Sequence, residues 1–122
     1  MRVALWSTLL YLVLMPSAHA AESVTGTYRM ENGEVLVQQT RDGLKFSLNA
    51  TYQTNVGEVS GEVPLIGEAA NYVKKELDCT LSFRFARSRL VVTQDGSCGM
   101  GLNVSGAGAY KRISSAPPKF DE

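Results

Sequence analysis

Apolar and polar residues alternate along most of this chain. In LKFSLNATY, Leu44, Phe46, Leu48, Ala50 and Tyr52 fall on one side of an extended backbone, while Lys45, Ser47, Asn49 and Thr51 fall on the other. CTLSFRF repeats the pattern, with Cys79, Leu81, Phe83 and Phe85 against Thr80, Ser82 and Arg84. A period of two is the signature of strands with one face in a core and one in water. Shorter segments carry it too: VTGTYRM at 24–30, EVLVQQ at 34–39 and EVSGEVPLI at 58–66. Turn signals lie between them, at Asn32-Gly33, Asp42-Gly43 and Asn55-Val56-Gly57. Strands this closely spaced predict an all-β fold, a small antiparallel barrel or sandwich of about 7–8 strands. Pro64 cannot donate to a ladder and is expected at an edge or bulge.

Two segments leave alternatives open. EAANYVKKELD, 68–78, fits either a helix with Ala69, Tyr72, Val73 and Leu77 on one face, or a short strand through Ala70 and Tyr72 followed by a charged turn at 74–78. The β surroundings favour the strand and turn. CGMGLNVSGAGAYKR, 98–112, is dense in glycine at Gly99, Gly101, Gly106 and Gly108. Read as a closing strand, it puts Met100, Leu102, Val104, Gly106, Gly108 and Tyr110 on the apolar face, with glycines that let an aromatic approach the backbone. Read as a loop, residues 105–110 protrude. No Lys-Ser/Thr pair opens a helix after these glycines, which argues against phosphate cradling.

The N-terminus changes the inventory. MRVALWSTLLYLVLMPSAHA has a basic Arg2, a largely apolar Val3–Met15 run, the breaker Pro16 and an Ala18-His19-Ala20 cleavage pattern. We read residues 1–20 as a signal peptide that is removed, 21–113 as a single β domain and 114–122, SSAPPKFDE, as a disordered tail. The apolar run is too short for a comfortable span, so no membrane insertion is expected after removal. The expected location is the periplasm of a two-membrane bacterium. Removal takes the single His19 and the single Trp6, and Arg2 alone among the charges, leaving 11 basic residues of the original 12 against 12 acidic ones. That balance provides no field for nucleic acid.

An exported chain with Cys79 and Cys98 is expected to join them in one disulfide. The spacing is not the Cys-x-x-Cys of redox-active pairs. A hairpin with Ser88 and Arg89 at its tip pairs Arg87 with Leu90 and Phe85 with Val92, and that register, continued, sets Cys79 opposite Cys98.

Without histidine or a free thiol, the mature chain builds no Ser-His-Asp or Cys-His site and lacks the usual zinc ligands. Glu58 and Glu62 share a strand face, the placement of solvated surface residues rather than of a glycosidase pair. We expect no catalytic residues, no metal and no cofactor. The polar groups left to weigh are Arg84, Arg87 and Arg89, suited to an acidic partner, and Asn103, Ser105, Tyr110 and Lys111.

The pattern Cys79, Leu81, Phe83, Phe85, Leu90–Val92, Gln94, Gly96, Cys98, Gly99, Gly101, Asn103, Val104, Gly108, Tyr110 and Lys111 resembles a group of small exported bacterial proteins of uncharacterised function. SGAGAY, with Ser105, Gly106, Gly108, Ala109 and Tyr110, is similar to a loop of periplasmic lysozyme inhibitors, though the later aromatic and Lys-Gly features of those inhibitors are missing. That second resemblance implies a docking loop in which Ser105, Gly106, Tyr110 and Lys111 meet the carboxylates of a cell-wall hydrolase. The expected function is a non-catalytic exported binding protein, an inhibitor of or immunity factor against such a hydrolase. The alternative is a cell-envelope structural or small-ligand-binding protein, which a deep apolar barrel pocket would favour.

Overall fold

A computed structural model describes residues 23–120. The signal and cleavage site expected at 1–20 lie outside the described residues. Eight strands run β1 (Gly26–Met30), β2 (Gly33–Gln39), β3 (Gly43–Tyr52), β4 (Asn55–Pro64), β5 (Ala69–Lys74), β6 (Cys79–Ala86), β7 (Arg89–Asp95) and β8 (Gly108–Ser114). They form one antiparallel sheet in the order β4-β3-β2-β1-β8-β7-β6-β5, which curls into a nearly closed barrel. Two four-strand meanders are joined where β1 pairs with β8.

The alternation of the sequence fills the interior. Val35, Val37, Phe46, Leu48, Leu81 and Leu90 are fully buried, and Leu44, Phe83, Val92, Tyr28 and Tyr110 nearly so. The Phe46 and Phe83 rings meet at a tilt of 54°, with centroids 4.8 Å apart. An eight-stranded barrel has an interior just wide enough for such side chains.

The break in the barrel falls between β4 and β5, which are consecutive in the chain but not hydrogen-bonded. Pro64 ends β4 opposite Gly43, at the edge its missing N–H requires. The seam is filled by a side chain instead. The Tyr72 ring meets Phe46 edge-on at 5.3 Å and lies against Gly61, where a Cβ would come within 2.8 Å of it.

Segment 69–74 is the strand, and the charged turn after it is a 3₁₀ turn, Lys75–Leu77, ended by Asp78 in a left-handed conformation. Other expectations are corrected. The β6–β7 tip is Arg87-Ser88, with Phe85 facing Leu90 and Ala86 facing Arg89, two residues away from the expected register. A shift of two keeps every side chain on its face, so the pattern alone does not detect it. Nor do the cysteines meet as cross-strand neighbours. Cys79 opens β6, whereas Cys98 lies beyond β7, where the chain passes Gly96 and turns back through a positive φ of 57° at Cys98. Asn55-Val56-Gly57 is strand rather than turn, because Gln53, at φ 57°, makes the reversal two residues earlier.

The stretch 98–112 is divided. Only residues from Gly108 onward are strand, and the chain from 98 to 107 folds over the barrel end as a loop. Val104 is buried in it, but Leu102 is 76% exposed, against the expected alternation. The space beside these glycines differs as well: a Cβ would meet Leu48 at Gly106 and the Met30 sulfur at Gly108, not a ring from across the core. In the C-terminal segment, Pro118 and Phe120 are half-buried, and the Lys45 ammonium sits 4.7 Å from the Phe120 ring centre.

Candidate functional site

The four residues suggested by the glycine-rich stretch do not share one surface. Tyr110 is 1% exposed, and its hydroxyl donates to the Gly106 carbonyl at 2.7 Å. Burial pushes the Tyr110 phenol up to about 12. Gly106 is buried, and its N–H donates to Gln94 Oε1 at 2.7 Å. Ser105 is exposed on the loop, its Oγ accepting from the Ala107 N–H at 3.1 Å. Lys111 is exposed on the outer wall, in register with Arg29 of β1 and Arg89 of β7. The loop is therefore a stapled cap over one end. The disulfide, the Gln94 side chain and the bond from Asn55 Nδ2 to the Leu102 carbonyl at 3.0 Å all hold it down.

The opposite end of the barrel holds a cleft of about 280 Å³. Its floor is the Tyr28 and Phe85 rings, edge to face at 5.7 Å. One wall is the chain before β1. There the Val24 N–H donates to Gln39 Oε1 at 3.0 Å, and Thr25 Oγ1 accepts from Ser23 Oγ and from the Gln39 N–H. A second wall is the β4–β5 connection, tied to β6 by the bond from the Phe85 N–H to the Glu68 carbonyl at 2.8 Å. The third is the Arg87-Ser88 turn, bound to β8 by the Arg112 N–H donating to the Ser88 carbonyl at 2.8 Å.

Three arginines and one carboxylate, Glu68, line this cleft. The Arg112 guanidinium is fixed: Nη2 donates to the Ser23 carbonyl at 2.7 Å and to Tyr28 Oη at 2.9 Å, and Nε also donates to Tyr28 Oη at 3.2 Å. Tyr28 Oη in turn donates to the Val24 carbonyl at 2.8 Å. Burial raises the Tyr28 phenol above its ordinary range, with Arg112 pulling the other way. Arg87 lies in the turn and Arg89 directly after it, both exposed. The ion pair formed among the described residues, Arg29–Glu34, lies elsewhere.

The backbone of the turn is unusual for its sequence. Arg87 and Ser88 have φ of 26° and 61°, a two-residue reversal that favours Asn or Gly. A bulky side chain at positive φ costs of order 1 kcal/mol or more, and such strain gathers at functional sites. Of the candidates suggested by the sequence, Arg87 and Arg89 line this cleft, whereas Arg84 points outward from β6. Arg112 and Tyr28 are not singled out by local pattern: Arg112 sits between Lys111 and Ile113 in an ordinary strand end, and Tyr28 reads as a core aromatic. Among the described residues, no group of three or more His, Cys, Asp or Glu side chains could hold a metal ion.

No family model, curated protein or solved structure matches this chain.

Proposed function

We propose that this is a non-catalytic exported binding protein that engages a carboxylate-rich partner through its arginine end. A lysozyme-type cell-wall hydrolase is the particular partner, and inhibition or immunity is the outcome. The observation that carries the reading is the group Arg87, Arg89 and Arg112, three cations around one cleft against the single carboxylate of Glu68. Hydrolases of that type work with two carboxyl groups facing the sugar. A cationic turn complements such a cleft in charge, and guanidinium binds carboxylate in a bidentate fork. The filled barrel interior supports docking by a surface over enclosure of a ligand.

Ser105, at the far end, is the internal control. Inhibition of several lysozyme classes by the purified, oxidised full chain is the test. It should weaken by about tenfold or more in the Arg87→Ala/Arg89→Ala double variant, with a lowered on-rate that depends on salt, and stay unchanged in Ser105→Ala. Loss in Ser105→Ala alone would move docking to the loop. Absence of inhibition in every class would leave the envelope structural role.

A further inference from the structure

We infer that the cleft behind the Arg87-Ser88 turn is a binding site for one carboxylate carried on a short apolar or aromatic body. The inference rests on the preceding reading only in sharing the arginine end. At about 280 Å³ the cleft lies just below the usual span of ligand pockets, roughly 300–1,000 Å³, which limits it to a small ligand. Its floor is aromatic, with Val24 and Leu65 beside it, which suits a small hydrophobic group. The rim supplies the charge: three arginines to one glutamate give a formal +2.

Arg112 is the anchor. Two of its nitrogens are spent on Tyr28 Oη and the Ser23 carbonyl, and its charge centre lies 5.4 Å from the Tyr28 ring centre. A guanidinium has five N–H donors, so Nη1 retains two for a ligand oxygen. A cation already held in place loses little freedom on binding. Arg87 and Arg89 stand at the mouth and can close on the same anion.

Three backbone amides of the walls are committed: Val24 N–H to Gln39, Phe85 N–H to Glu68 and Arg112 N–H to Ser88. Recognition falls to the guanidinium forks, which match a planar carboxylate, and to the floor, which a bare inorganic ion would not touch. The carboxylate has two sources, a free acid or the carboxyl terminus of a partner chain.

The oxidised full chain is titrated by calorimetry and amide chemical shifts with 3-phenylpropanoate, its neutral amide and inorganic phosphate. Two blocked peptides ending in phenylalanine, one with a free carboxyl and one amidated, make up the remaining arms. The acid, the free-carboxyl peptide or both should bind, with the matching amides and phosphate at least about tenfold weaker. Binding by the peptide alone assigns the carboxyl terminus as the source, and binding by the acid assigns a free ligand. Arg112→Gln should weaken binding but also loosens Tyr28 and Ser23. Arg87→Gln/Arg89→Gln, at the exposed turn, is therefore the deciding variant, with an expected loss of about fivefold or more. Equal binding of acid and amide, equal binding of phosphate, an unaffected double variant, or no binding by either carboxylate would overturn the site. Acid binding without hydrolase inhibition keeps this inference and removes the preceding one, and inhibition without acid binding does the reverse.

Discussion

Tyr110 shows how one buried hydroxyl links the cap to the barrel. Its ring is sealed inside and its O–H is the donor to the Gly106 carbonyl, so the last strand and the glycine-rich loop are joined by a single polar contact. Burial favours the neutral phenol, raising it from 10.0 to about 12. The folded protein therefore holds this proton more tightly than the unfolded chain. The resulting stabilisation is complete below about pH 10 and is lost as pH rises towards 12. At about 1.4 kcal/mol per pH unit the loss amounts to roughly 2–3 kcal/mol. Tyr28 shifts in the same direction and adds to the alkaline fall. Tyr110→Phe should cost about 1–3 kcal/mol near neutrality, because a buried carbonyl loses its donor. It should also flatten the limb between pH 10 and 12, read by urea unfolding across that range. Gly96 is the other residue that decides local geometry: at φ 95°, a Cβ there would fall 1.8 Å from the Asp78 carbonyl oxygen. That close approach brings the chain leaving β7 past the start of β6 and sets up the disulfide.

At the level of elements, the β6–β7 hairpin carries two unlike ends. One is the arginine turn; the other is the staple that holds the cap. Cys79 and Cys98 are separated by 19 in sequence, and closing a loop of that size stabilises the fold by about 3 kcal/mol on a chain-entropy account. Cys79→Ser/Cys98→Ser should lower stability by about 2–5 kcal/mol. Amide exchange should rise selectively across the loop 96–107, where Val104 and Met100 press against Gly57. The arginine turn has its own tie to β8 through Ser88, and β6 beside it is tied to the β4–β5 connection through Phe85, so carboxylate binding should survive in the same variant. Loss of binding would mean that the two ends are coupled through the hairpin.

The whole molecule is a barrel closed by a ring rather than by a ladder. Unpaired edges invite association with other chains. Here two edges face each other with Tyr72 wedged between them on Gly61 and Phe46, and Glu58 and Glu62 place charge along the outer side of β4. Tyr72→Ala should leave both meanders paired internally while opening the seam. Stability should drop by about 2–4 kcal/mol. Exchange should accelerate along β4 and β5 before the other strands, and self-association should appear as concentration rises, measured by sedimentation. Unchanged exchange at β4 and β5 would show that the seam is held by something other than this ring.

What could be read directly from the chain is what depends on neighbours in sequence. A period of two assigns each residue of 44–52 and 79–85 to a face without knowledge of its partner strand, because successive side chains of an extended backbone point opposite ways. The all-β class, most of the interior residues and the disulfide, with only two cysteines to pair, follow from such local information; Tyr52, exposed at the end of β3, and Ser47, buried on its polar face, depart from it. Register does not, since a hairpin displaced by two residues buries the same side chains. Nor does the fate of a glycine-rich run, because alternation in 98–107 is equally compatible with a strand and with a loop laid over a barrel end. The arginine cleft was legible only in part, through Arg87 and Arg89 at a hairpin. Ser23 and Tyr28 lie far in sequence from Leu65, Phe85 and Arg112, and these groups meet only because β1 pairs with β8 and the β4–β5 connection folds over the same end. Closure of the sheet is a long-range event, and it decided which of the chain's many ordinary polar residues became neighbours.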